Sequence, residues 1–311
     1  MNPEIFAEWF RRRGFQVVRT LSSFWVNQGK RVYQAFPFHW IIRPDQTELN
    51  EFIQSHKVLG LRYSTSLEEE NGSLSYHAVY EDRTYNLEIL NKWARKNVRN
   101  GLKNCQVVPI SFSRLAQEGW GLQLDTLQRQ GRRVPMPYKT WELICLSAKN
   151  LPGFEAWGAL VDGSLGASVI SFKMQDCYYM LYQQCHSQYL NLHINNGLSF
   201  VVTKTLVERK ETVSILYGLH SLDAPTSVDE FKFRMGYKPK PVRQRVVFHP
   251  WLKPCINRMS HAMVRKLLNQ DPGNPTIAKA EGMIRFYLEG EKPLNQQNWP
   301  ECLIKARLIG S

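Results

Sequence analysis

Val228-Asp229-Glu230-Phe231-Lys232-Phe233-Arg234-Met235-Gly236-Tyr237 is the stretch on which the reading of this chain turns. It combines a short helical pattern, an apolar-basic-apolar centre at Phe231-Lys232-Phe233 and a glycine-aromatic stop at Gly236-Tyr237. Upstream, Val213-Ser214-Ile215-Leu216-Tyr217-Gly218-Leu219 is an apolar run of strand length, which predicts a buried strand. Downstream, Pro-Val-Arg-Gln-Arg-Val-Val-Phe-His from Pro241 to His249 alternates like a second strand. The local order is strand, loop, short helix, glycine-aromatic, strand, with Lys232 on the helix.

Working outward, Tyr138–Lys149 reads as a helix stopped by Leu151-Pro152-Gly153. Glu155–Val161 and Gly166–Phe172 read as strands joined across Asp162-Gly163, a strong hairpin signal. Cys177–Gln184 reads as a third strand. A polar loop then reaches Asn195-Asn196-Gly197, and a helix is expected from Leu198 to about Arg209. Further upstream, a helix over Pro3–Arg13 stops at Gly14. Strands are expected at Phe15–Arg19, Arg31–Phe36, Gly60–Ser64, Ser75–Tyr80 and Val107–Ile110, and helices at Leu87–Lys103 and Ser113–Gln130. In the first of these helices, Gly101 costs about 1 kcal/mol relative to Ala, so its last turn is expected to fray. After Pro254 the chain reads as helical and basic, divided by Pro272-Gly273-Asn274-Pro275.

The segment 213–249 resembles the end of the acyltransferase fold of the GNAT superfamily. Those enzymes close their core with a helix reading roughly Tyr-x-x-x-Gly-Phe/Tyr. Here the residue four before Gly236 is Lys232, and Phe-Lys-x-x-x-Gly is the form shown by the FemABX-like branch, the peptidoglycan-bridge peptidyltransferases and their relatives. The resemblance implies a mixed sheet splayed at its middle, helices on both faces, and an N-terminal GNAT-like half over 1–137. A second half over 138–250 and a helical extension over 251–311 would follow. It also implies an acyl-CoA such as acetyl-CoA, or an aminoacyl-tRNA, as donor to an amine acceptor.

Acyl transfer needs a deprotonated acceptor, a held thioester or ester, and a group that stabilises the developing oxyanion or protonates the leaving group. Lys232 is the first candidate for that group. The plainer reading makes it one of several surface lysines on an amphipathic turn. Asp223, in the loop before the helix, is the candidate that orients the acceptor amine, and Arg234 could aid a phosphate. Phe231 and Tyr237 read better as packing anchors.

The GNAT pyrophosphate loop, Gln/Arg-x-x-Gly-x-Gly/Ala, would fall at Asn195, Asn196 and Gly197, where backbone amides at a helix start can hold an anion. The sequence there is Leu192-His193-Ile194-Asn195-Asn196-Gly197-Leu198, with one glycine and no Gln/Arg. The departure counts against a standard coenzyme A cradle and agrees with the tRNA-using branch. Asn195 as an ordinary helix cap is the competing reading. Arg95 and Arg99 lie four apart on one helical face, an arrangement that an anion would bridge. Tyr217 and Gly218 end the strand that leads to the Lys232 helix and join the substrate-side candidates.

Composition sets the outer limits. The chain has 311 residues, 43% of them hydrophobic and 12% aromatic, as a folded protein with a large core would. Its net charge of +13 is uneven: ten Lys/Arg and no Asp/Glu lie between Lys232 and Lys266. Such an excess attracts nucleic acid, an anionic membrane surface or phosphorylated substrates. No run approaches the roughly 18 apolar residues that span a bilayer, and the acidic N-terminus lacks an apolar signal segment. A cytosolic protein, at most peripheral to a membrane, is expected. The six cysteines show no metal-ligand spacing, so reduced thiols and no metal are expected. Cys185-His186 could be a nucleophilic pair, but a cysteine ending an apolar strand is more simply buried. Two other functions stay open: a non-catalytic GNAT-like module that binds nucleic acid or another anion, and an O-acyltransferase working on polysaccharide or lipid at a membrane surface.

Overall fold

The computed structural model describes residues 2–131, 136–222 and 226–309. In chain order it contains α1 (Pro3–Arg12), β1 (Val17–Arg19), β2 (Phe24–Asn27), β3 (Val32–Phe36), α2 (Gln46–Ser55), β4 (Gly60–Thr65), β5 (Ser73–Tyr80) and α3 (Lys92–Asn104). There follow β6 (Gln106–Ile110), α4 (Phe112–Arg129), α5 (Tyr138–Ala148), β7 (Phe154–Val161), β8 (Ser164–Met174) and β9 (Cys177–Cys185). The chain ends with α6 (Ile194–Val207), β10 (Ser214–Leu219), α7 (Thr226–Arg234), β11 (Lys238–Phe248), α8 (Arg258–Gln270), α9 (Pro275–Gly290) and α10 (Glu301–Ile309). This is the expected mixed α/β architecture, with helices alongside mixed sheets.

Two compact units share the chain. The first comprises Met1–Arg13, Ala78–Gly218 and Ala224–Lys238; the second comprises Gly14–His77, Leu219–Asp223 and Pro239–Ser311. Each unit is assembled from separate stretches of the chain. Helix α1 is the clearest case. Asn2 caps it and Pro3 opens it, yet its apolar face belongs to the first unit. Phe6 stacks on Phe172 at 4.9 Å, and the Trp9 indole donates to the Ile144 carbonyl at 3.1 Å.

In the first unit, β6, β7, β8 and β9 form an antiparallel run, and β10 joins β9 in parallel. The β7–β8 hairpin turns at Asp162 (φ 49°) and Gly163 (φ 81°), the two positive φ values of a tight two-residue turn. Strands β9 and β10 pair only from Ser214–Cys177 to Leu216–Tyr179, and their ladder ends there although both strands continue. Strand β9 also carries a bulge: Ser168 faces Gln184 and Ile170 faces Leu181, with Tyr182 at φ 49°. The core under this sheet contains Val98, Val169, Leu198, Val202, Ile215 and Tyr237.

In the second unit the order is β1, β2, β3, β4, β11, antiparallel except for the parallel β3–β4 pair. Asp45 caps α2, which buries Leu49, Phe52 and Ile53 against Trp25, Tyr33 and Tyr63. The sequence reading placed neither β2 nor α2. Strand β11 buries Val246 and Phe248 against Met283, Ile284 and Phe286 of α9. The basic run from Lys232 to Lys266 is not one solvated face. Arg243 is buried and donates to the carbonyls of Leu67, Glu70 and Gly72.

Candidate active site

Of the sequence-derived candidates, Lys232, Tyr217, Gly218 and Asn195 gather at the opening between β9 and β10 in the first unit. Helix α7 runs into Gly236 (φ 88°), and the Tyr237 amide reaches back to the Lys232 carbonyl at 3.3 Å, a left-handed glycine stop. Tyr237 is buried and hydrogen-bonds Thr203 at 2.8 Å, and the Tyr85 hydroxyl donates to the Met235 carbonyl at 2.7 Å. These anchors fix the end of α7, and so fix where Lys232 points.

The Lys232 ammonium donates to Asp229 Oδ1 at 2.6 Å, with only 10% of each side chain exposed. It lies 5.4 Å from the centre of the Tyr217 ring. A Cβ added at Gly218 (φ 152°) would stand 3.3 Å from Lys232 Nζ, so the strand backbone forms a third side. Lys232 is thus a buried cation, not a surface lysine. Asp229, which the sequence reading left out, is its partner one helical turn away. The Asp-x-x-Lys spacing was the available signal.

A second residue was missed with no such signal. Tyr217 donates its hydroxyl to Gln183 Oε1, and Gln183 Nε2 donates to Asn195 Oδ1 at 2.8 Å. This chain crosses the β9–β10 opening just beyond the point where their ladder ends. Burial holds the Tyr217 phenol well above its ordinary pKa, so it stays a neutral donor near pH 7. An ammonium has three N–H donors, and Asp229 accepts one of them. The site therefore offers a cation and a polar relay in a low-dielectric cleft, where a developing negative charge is stabilised most.

The other candidates divide. Asn195 belongs to this relay, but Asn196 and Gly197 do not form an open anion loop. Helix α6 starts at Ile194, four residues before the expected Leu198, behind His193 in the left-handed region (φ 56°). The amides of Asn196 and Gly197 are both taken by the His193 carbonyl, at 2.9 and 3.2 Å. Gly197 also packs against Gly101 of α3: a Cβ on Gly101 would meet the His193 oxygen at 2.3 Å and Gly197 N at 3.0 Å. That contact is why α3 keeps a glycine, and the helix continues past it to Asn104. Asp223 lies outside the described residues.

Arg234 is exposed. It pairs with Glu230 at 3.0 Å and sits 5.2 Å over the ring of Trp93 on α3. Arg95, Lys96, Arg99 and Lys103 line an open groove of about 1050 Å³ beside Trp93. The Arg95 guanidinium donates to the Leu90 carbonyl at 3.1 Å, while its Nε is buried without a partner. Arg95 and Arg99 are together, as their spacing predicts, and Arg234 extends their face.

Cys185 is buried, and desolvation pushes its thiol up to about 12, which removes it as a thiolate nucleophile. Among the described residues no group of His, Cys, Asp or Glu could hold a metal ion. None of their helices is long and apolar enough to cross a membrane.

No protein-family model matches the sequence. No curated protein matches it either. Solved structures do. The fold is similar to that of FemX, with a TM-score of 0.56 and 9% identity over 80% of this chain and 92% of that one. It is similar to the C-terminal DUF2156 domain of a protein described as a lysylphosphatidylglycerol synthetase from Agrobacterium fabrum, with a TM-score of 0.53 and 11% identity over 78% and 87% of the two chains. L-PGS from Bacillus licheniformis gives 0.50 and 9% over 79% and 91%. At these identities the likeness is one of fold alone.

Proposed function

We propose that the protein is an acyltransferase that moves an acyl or aminoacyl group from a phosphate-bearing activated donor to an amine acceptor. The observation that carries the reading is the buried Lys232–Asp229 pair beside the Tyr217–Gln183–Asn195 relay, at the point where β9 and β10 separate. The neutral amine attacks the donor carbonyl, and Lys232 donates a hydrogen bond to the oxyanion that forms. The C–O or C–S bond then breaks, and the proton lost by the amine goes to the leaving oxygen or sulfur. Asp229 holds Lys232 in place and balances its charge in the resting site. The face formed by Arg95, Arg99 and Arg234 receives the donor's phosphates.

An aminoacyl-tRNA donor is favoured over acetyl-CoA. The amides that would cradle a pyrophosphate at the start of α6 are occupied, and Gly197 is closed off by Gly101. The groove along α3, with Trp93 among its cations, suits an extended sugar-phosphate chain and a stacked base better than a single diphosphate.

The reading is tested by incubating the full chain with a mixed pool of labelled aminoacyl-tRNAs, and separately with labelled acetyl-CoA, each with and without a panel of primary amines. Amine-dependent transfer from the tRNA pool supports it. Transfer from acetyl-CoA alone would leave the reaction class standing and reverse the donor. Tight, salt-sensitive RNA binding with no transfer to any amine would favour the non-catalytic module instead.

A further inference from the structure

Helix α8 presents an apolar stripe that no described residue of the second unit covers fully. Its inner side, Ser260, His261, Val264 and Leu268, is half-buried, and α8 packs beside α9, with His261 bonded to Glu281 at 2.9 Å. On the outer side Met259, Met263 and Leu267 repeat every four residues and are 83%, 65% and 46% exposed. No residue of this helix is buried. The turn that leads into it carries Trp251, which is 62% exposed.

Within α8 the charge is of one sign, while Glu289 and Glu291 line a pocket with Arg258 at its start. Helix α8 contains Arg258, Arg265 and Lys266 and no acid, all three of them exposed, and Lys253 precedes them. A soluble helix normally turns its apolar stripe inward and its charge outward. Here methionines, leucine and cations share the outward side, the composition of a helix that lies in a membrane interface. The occupant must be apolar just beneath a layer of negative charge.

We propose that the outer face of α8 docks the protein on an anionic lipid surface. Met259, Met263 and Leu267 enter the headgroup-acyl boundary, and Arg265 and Lys266 meet lipid phosphates. Methionine suits such a stripe because its unbranched side chain adapts to an irregular surface. Attachment by three apolar side chains and a few cations is reversible. The proposal does not depend on the transferase reading.

The test is co-sedimentation of the full chain with vesicles of phosphatidylcholine alone and of phosphatidylcholine containing one quarter phosphatidylglycerol. Two variants accompany it, Met259→Ser/Met263→Ser/Leu267→Ser and Arg265→Ser/Lys266→Ser. All five positions are exposed, so both variants should melt like the parent. The parent is expected to sediment with the anionic vesicles and not with the neutral ones, and each variant to lose about tenfold or more in partitioning. Failure of the parent to sediment overturns the proposal. So does a stripe variant that binds as the parent does, which would reduce the face to a general polyanion site able to retain RNA equally well. A stripe variant that converts a solution dimer to a monomer would assign the face to a second copy of the chain.

Discussion

Lys232 and Asp229 form an ion pair of 2.6 Å inside the first unit, with each side chain only 10% exposed. A lysine buried this deeply is held by its partner, so its role in chemistry cannot be probed by removing it alone. Taking away one member of a buried pair leaves the other charge without compensation. Lys232→Met should therefore lower the unfolding free energy by about 3–5 kcal/mol. Lys232→Met combined with Asp229→Asn should recover most of that loss. Urea unfolding of the two variants checks this; equal stability of the single variant and the parent would show that the pair is not buried in solution.

Gly101→Ala gives an opposite sign to the one that helix propensity predicts. Propensity alone favours alanine by about 1 kcal/mol. The new Cβ would stand 2.3 Å from the His193 carbonyl oxygen, a backbone atom that cannot turn aside. Forcing α3 and α6 apart should cost about 1–3 kcal/mol net. A melting temperature above that of the parent would mean that the two helices do not touch at this glycine.

In the second unit, His77 carries a pH dependence. Its Nε2 lies 2.8 Å from Ser64 Oγ, which also accepts from Gln244 at 2.6 Å. Desolvation, helped by the charges of His39, Lys240 and Arg62, lowers its pKa to about 3. The folded state keeps this imidazole neutral while the unfolded chain takes up a proton below about pH 6.5. Stability from this group is complete above that value and declines as the pH falls toward 3. Between pH 7 and pH 5 the parent should lose about 2 kcal/mol more than His77→Gln does. Parallel pH profiles for the two proteins would contradict the buried neutral histidine.

Local signals account for most of what the sequence made legible. Gly236-Tyr237 stops α7 as expected, Asp162-Gly163 turns the β7–β8 hairpin, and the apolar run at 213–219 is β10. Asp229 was in plain view at helical spacing from Lys232. The rest depended on contacts between distant segments. Gln183 reaches its place because a bulge at Tyr182 re-aims the end of β9, and a positive φ on tyrosine has no sequence signature. The start of α6 was misplaced for a similar reason: His193 occupies the left-handed position where glycine or asparagine would be looked for. Nothing in Pro3–Arg12 announces that this helix packs with α5 and the strands that follow it.

The central claim is that the transition state forms at Lys232. The most direct test is amine-dependent turnover of Lys232→Met/Asp229→Asn against the parent, with folding matched by urea unfolding. If Lys232 donates to the developing oxyanion, turnover should fall by roughly 10²–10³, equivalent to about 2.7–4 kcal/mol. The apparent constant for the donor should stay close to that of the parent, because Arg95, Arg99 and Arg234 are untouched. A folded double variant that keeps the parent's turnover would place the chemistry elsewhere.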